Sequence, residues 1–134
     1  LEDCVDAVIL IGGGADLYQL TRESILTDGG ITIRRGDSAV DRRTNEAIHA
    51  AYLRHTRLDP WVVAPTLARV PVLTVYGTWD RIVPTSAARK LNERLSGPDR
   101  LVLCGGGHLV LFYRVPGRAG DLADWLDRAV RRRP

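Results

Sequence analysis

An acid and an imidazole occupy matching contexts in this chain. Val70 to Pro84 reads VPVLTVYGTWDRIVP, an apolar run that stops at Gly77 and then presents Asp80. A second run, Arg100 to Cys104, stops at three glycines and then presents His108. Two strand ends that deliver a carboxylate and an imidazole to the same edge of a sheet are two-thirds of a nucleophile–His–acid triad. The carboxylate would fix the tautomer of His108 and stabilise its imidazolium. The glycines before His108 let the backbone turn sharply without a Cβ penalty. The third member is missing: Ser24, Ser38, Ser86 and Ser96 are the serines, and none lies in a G-x-S-x-G elbow.

The elements that must position these residues follow from the pattern. Val5 to Ile11, Pro71 to Tyr76 and Leu101 to Cys104 are apolar, β-branched runs bounded by turn residues. Runs apolar on both faces and separated by helical patterns predict a parallel sheet covered on both sides. A helix over Asp41 to Arg57 would carry Ile48, Ala51, Tyr52 and His55 as one stripe. One over Ser86 to Leu95 would bury Ala88, Leu91 and Leu95 and stop at Gly97-Pro98. A third, Asp121 to Arg133, would take Asp121 as N-cap and Leu122, Trp125, Leu126, Ala129 and Val130 as its stripe. Its terminal arginines suit the helix dipole and form a solvated end. The order strand, excursion, strand, helix, strand, helix with right-handed connections makes half of a doubly wound sheet. The excursion, residues 15–69, contains the turn-like Asp28-Gly29-Gly30 and Arg35-Gly36-Asp37 and is the candidate lid or pocket lining.

Composition bounds the function. The 134 residues fit one domain, and 45% apolar with 26% charged residues reads as globular. No apolar run approaches ~18 residues, so no membrane span is expected. A basic segment followed by an apolar core is absent from the N-terminus, so no secretory signal is read there. The net charge of +3 is mild, and the arginines are scattered beside acids, which argues against nucleic-acid binding. Cys4 and Cys104 would lie at opposite ends of a sheet and read as two buried, reduced thiols, which suits a cytoplasmic protein. The chain has no methionine and begins almost directly on a strand, so an N-terminal part is expected to precede it.

PVLTVYGTWDRIVP resembles the acid-bearing strand and loop of the α/β-hydrolases, of general form P-V-L-x-x-x-G-x-x-D-x-x-V-P. GGGH resembles the loop that carries the family histidine, and DAVILIGGGADL resembles the strand that follows the nucleophile helix. LDPWVVAPTLARVPVL, Leu58 to Leu73, is similar to the approach to the acid strand in several esterase-like members. The resemblance covers most of the chain and is weakest from Tyr18 to Arg57. It implies an α/β fold, the C-terminal half of a doubly wound, mainly parallel hydrolase sheet of about three strands with flanking helices. Residues 1–134 would be a partial domain, with 15–69 the excursion and 70–134 the βαβα segment bearing acid and histidine. Asp80 would be the triad acid and His108 the general base. The nucleophile and both oxyanion donors would lie upstream.

Asp16 also follows a strand end, where some members place the acid, but its simpler reading is a cap on the segment after Gly14. Trp79, Leu109 and Phe112, with Trp61, are candidates for an acyl pocket, although packing in the core competes for each. Gly12-Gly13-Gly14 lacks the third glycine of a dinucleotide loop, and His49 and His55 are wrongly spaced for metal ligation on one helix face. No cofactor or metal is expected. The leading expectation is carboxylic-ester hydrolysis of a small acyl substrate, ester or thioester, by the complete protein. The rivals are an acyltransferase or polyester-synthase-like enzyme of the same fold, a split enzyme completed by a second polypeptide, and a non-catalytic binding module.

If strand order follows the family, Val5 to Ile11 is an open apolar edge that would pair with another chain or with the missing N-terminal half. The 134-residue chain in isolation is therefore expected to self-associate or to be unstable. Sedimentation that finds a stable, monodisperse monomer would contradict this.

Overall fold

The computed structural model describes residues 4–25, 39–97, 99–103 and 105–131. They form a mixed α/β fold around a three-stranded parallel sheet in the order β1-β2-β3, with β1 Val8–Ile11, β2 Val72–Gly77 and β3 Asp99–Leu103. Val8 pairs with Val72 and Ile11 with Val75, while Leu73 pairs with Asp99 and Gly77 with Leu103. Between β1 and β2 lie helices α1 (Leu17–Glu23), α2 (Ala39–His55) and α3 (Pro60–Val63) and a 3-10 turn, Ala64–Leu67. Helix α4 (Thr85–Arg94) links β2 to β3, and α5 (His108–Arg114) and α6 (Ala119–Arg131) follow β3.

Side chains alternate across the pleat, so each strand feeds two cores. Val8, Leu10 and Val72 face one way, against Ala15, Trp61, Ala64, Leu67, Leu91 and Leu95. Ile9, Ile11, Leu73 and Val75 face the other, against Leu111, Val115, Leu122 and Trp125. Helices thus cover both faces of the sheet. The central strand β2 is buried along nearly its whole length, whereas every residue of β1 is only half-buried. That difference matches the position of β1 at the sheet's margin.

Several expectations need correcting. Asp121 does not cap the last helix. The helix starts at Ala119, straight out of the 3-10 turn Val115–Arg118, and Asp121 sits in its first turn, where an acid still suits the dipole. In the expected stripe Leu126 and Val130 are exposed, because only Leu122, Trp125 and Ala129 reach the sheet side. His55 at the end of α2 is exposed as well. Cys4 is exposed rather than buried, since β1 begins only at Val8 and leaves Cys4 ahead of the sheet. Trp61 packs into the core beside α4, with the Arg94 guanidinium 4.8 Å from its ring, so it lines no pocket near the dyad. Cys104, Ser38, Arg132, Arg133 and the turns at 28–30 and 35–37 lie outside the described residues. No helix among the described residues is long and apolar enough to cross a membrane.

The C-terminal ends of β2 and β3 approach so closely that a Cβ on Gly77 would sit 2.2 Å from the Gly106 carbonyl oxygen. Backbone on both sides cannot yield cheaply. Gly77→Ala is expected to lower stability by about 2–4 kcal/mol. Gly97→Ala, at φ 66 with open space around it, should cost only about 1 kcal/mol. Urea unfolding midpoints of the two variants check the contrast.

Candidate functional site

The loop after β2 and the loop after β3 are stitched together by their backbones. Trp79 N–H donates to the Gly106 carbonyl at 3.0 Å, and Gly105 N–H donates to Thr78 Oγ1 at 2.9 Å. The first loop then turns on Asp80. Its Oδ1 accepts the N–H groups of Ile82 (2.9 Å) and Val83 (2.8 Å), a side-chain-to-backbone turn of the kind Asp favours. Its Oδ2 lies 2.6 Å from His108 Nδ1. Asp80 is buried, and the His108 side chain is 18% exposed. The carboxylate is thus fixed from both oxygens and holds the ring in a short, charge-assisted contact.

His108 does not sit in a loop. It is the first residue of α5, and Leu111, wholly buried, donates its N–H to the Gly107 carbonyl at 2.8 Å. A buried anchor one turn along therefore sets the start of the helix that carries the imidazole. The ring also reaches β1. A Cβ on Gly12, at φ 64, would lie 3.1 Å from His108 Cε1 and 3.2 Å from Leu111. Phe112 meets His108 edge-on, with centroids 5.1 Å apart. With Nδ1–H given to Asp80, a neutral His108 presents the lone pair of Nε2 and can act as a general base.

Asp80 and His108, separated in sequence, are brought together. Phe112 packs on the His108 ring, while Trp79 and Leu109, the sequence neighbours of Asp80 and His108, are apolar and 72% and 77% exposed. Core packing accounts for none of the three. Among the described residues no serine or cysteine is bonded to His108. Ser86 donates to Glu23 at 2.5 Å, and Ser24 is buried near the end of α1. Among the described residues, too, no three His, Cys, Asp or Glu side chains group as metal ligands.

A second constellation went unforeseen. Asp16 caps α1, accepting Gln19 N–H at 3.1 Å, as expected, and it does so in the left-handed region at φ 62. It also meets His49 Nε2 at 2.8 Å and Lys90 Nζ at 2.5 Å. Asp59, wholly buried, accepts the N–H of Asp16 (3.0 Å), Leu17 (2.7 Å) and Trp61 (2.7 Å) and the Tyr52 hydroxyl (2.9 Å). Asp59-Pro60 is a readable helix start, a cap followed by proline at the first helical position. Nothing in the sequence marks His49, one histidine on a polar helix, as the partner of Asp16.

Burial pushes the Asp59 carboxyl up, but the bonds from Leu17, Trp61, Tyr52 and Asp16 outweigh it and hold the group below the usual carboxylate value. Burial, and then the bond to Asp59, push the Tyr52 phenol up. A carboxyl depressed in the folded state adds stability that is present above its unfolded pKa and lost as pH falls through the folded one. Asp59→Asn is therefore expected to destabilise the protein by about 2–4 kcal/mol at neutral pH, and by less in acid. Unfolding at about pH 7 and about pH 3 tests the sign.

No family model matches the chain, and no curated protein sequence matches it. Among solved structures, it is similar to the crystal structure of NosK from Streptomyces actuosus, at 18% sequence identity and a TM-score of 0.49. The match covers 96% of this chain and 60% of the other, so this chain spans about three-fifths of NosK's length.

Proposed function

We propose that Asp80 and His108 are the acid and the general base of a nucleophile–His–Asp triad. In this reading the chain is the C-terminal part of an α/β-hydrolase domain, and the complete protein hydrolyses carboxylic esters. The observation that carries the proposal is the 2.6 Å contact between Asp80 Oδ2 and His108 Nδ1, at the C-terminal ends of adjacent parallel strands. The order β1-β2-β3, the acid after β2 and the histidine after β3 agree with the resemblance in the sequence. Helices on both faces of the sheet agree with it too. Phe112 on the His108 ring, with the exposed apolar Trp79 and Leu109 next in sequence to the pair, would suit an acyl group beside the imidazole.

The chemistry runs through Nε2 of His108. A nucleophile from outside these 134 residues attacks the acyl carbonyl as Nε2 takes its proton. Asp80 steadies the imidazolium without being protonated itself. Nε2 then protonates the departing alkoxide, leaving an acyl intermediate on the nucleophile. Water attacks that intermediate with Nε2 again as base, and the proton returns to the nucleophile as the carboxylic acid leaves.

In the complete enzyme, His108→Ala and Asp80→Asn are each expected to lower turnover by about 10³- to 10⁴-fold with the fold intact. Intact-mass spectrometry after a fluorophosphonate probe should find label on the polypeptide that supplies the nucleophile. Turnover near the parent rate in both variants, or a complete protein that never labels, would overturn the proposal.

A further inference from the structure

Two buried carboxylates at the C-terminal edge of the sheet, Asp16 and Asp59, take no part in the Asp80–His108 pair. Asp59 gives all its acceptor capacity to the backbone of Asp16, Leu17 and Trp61 and to Tyr52. It thereby holds Asp16 in a left-handed conformation that non-glycine residues rarely adopt. Asp16, 2% exposed, is charge-compensated by Lys90 Nζ at 2.5 Å. His49 Nε2 lies 2.8 Å from both of its oxygens, and the ring stacks on Tyr18 with centroids 5.2 Å apart and planes 14° apart. Because Lys90 already balances Asp16, His49 need not be its counterion. The ring is held by an acid at Nε2 and by an aromatic face, which leaves Nδ1 to do something else.

His49 lines a cavity of about 360 Å³ together with Tyr18, Gln19, Arg22 and Glu23. That volume is within the range of small-ligand sites, and the lining is polar. Gln19 bonds Lys90 and Glu23, and Glu23 also accepts from Ser86, so these groups are tied to their neighbours. Among the described residues no carboxylate pairs with the Arg22 guanidinium.

We propose that this cavity binds a small polar carboxylate, with Arg22 as its charge partner and Nδ1 of His49 as its second contact. A planar guanidinium matches a carboxylate in two parallel hydrogen bonds. With Nε2 on Asp16, Nδ1 donates to the carboxylate when the ring carries both protons. Glu23 on the same wall disfavours a dianion such as phosphate. Among the described residues, the titratable and charged groups facing His49 are Asp16 after β1, Tyr18, Arg22 and Glu23 on α1, and Lys90 on α4. The site stands whether or not Asp80 and His108 are catalytic.

The test is titration of the protein with acetate, and separately with inorganic phosphate, followed by NMR of the His49 ring. Acetate should shift the His49 resonances. Arg22→Gln, a change at an exposed helix end, should weaken acetate about tenfold or more with the spectrum otherwise that of the parent fold. His49→Gln, which loses the second contact, should weaken acetate several-fold. No His49 shift with acetate, equal affinity in Arg22→Gln, or tighter binding of phosphate than of acetate would each overturn the assignment.

Discussion

Gly77 and Gly106 meet backbone to backbone, and the Asp80–His108 pair is built around that contact. It brings the turn after β2 against the turn after β3, close enough for Trp79 to bond Gly106 and for Gly105 to bond Thr78. Any side chain at Gly77 would hold the turns apart, and Asp80 would lose its reach to His108. Parallel strands make this possible, because they deliver all their C-terminal ends to one edge. The buried β2, packed on both faces, gives that edge a rigid base, so a 2.6 Å carboxylate–imidazole contact rests on scaffold rather than on loop packing alone.

The same edge carries a second acid–imidazole pair, built on different terms. Asp80 is fixed locally by the backbone of Ile82 and Val83 and then reaches one partner. Asp16 is fixed at long range, through Asp59, and shares its charge between His49 and Lys90. The first arrangement engages one imidazole nitrogen and packs the ring edge-on against Phe112. The second leaves one nitrogen beside a polar cavity. It also ties α2 to the body of the domain through polar contacts, His49 to Asp16 and Tyr52 to Asp59.

Much of this was legible in the residues. The strands announced themselves as apolar runs ending in glycine, and the alternation that splits Ile9 from Leu10 into two cores is the period of the pleat. Asp80 and His108 stood out because each follows such a run. What escaped is long-range. No local pattern says that His49 meets Asp16, since the helix carrying it has no strong apolar stripe and the contact is tertiary. The start of α6 is not legible in the sequence, because Val115 to Arg118 winds into it without a break and the cap-like Asp121 falls inside its first turn. Leu126 and Val130 fit the helical period yet are exposed, because the stripe that faces inward, Leu122, Trp125 and Ala129, is narrower than the apolar one.

The central claim is that Asp80 holds His108 as the Nδ1–H tautomer, leaving Nε2 free to move a proton. The most direct measurement is the pair of ¹⁵N resonances of the His108 ring above about pH 8, in the parent and in Asp80→Asn. The account predicts a protonated Nδ1 and an unprotonated Nε2 in the parent, with that preference lost in the variant. A ring protonated mainly at Nε2, or a tautomer balance indifferent to Asp80, would contradict it.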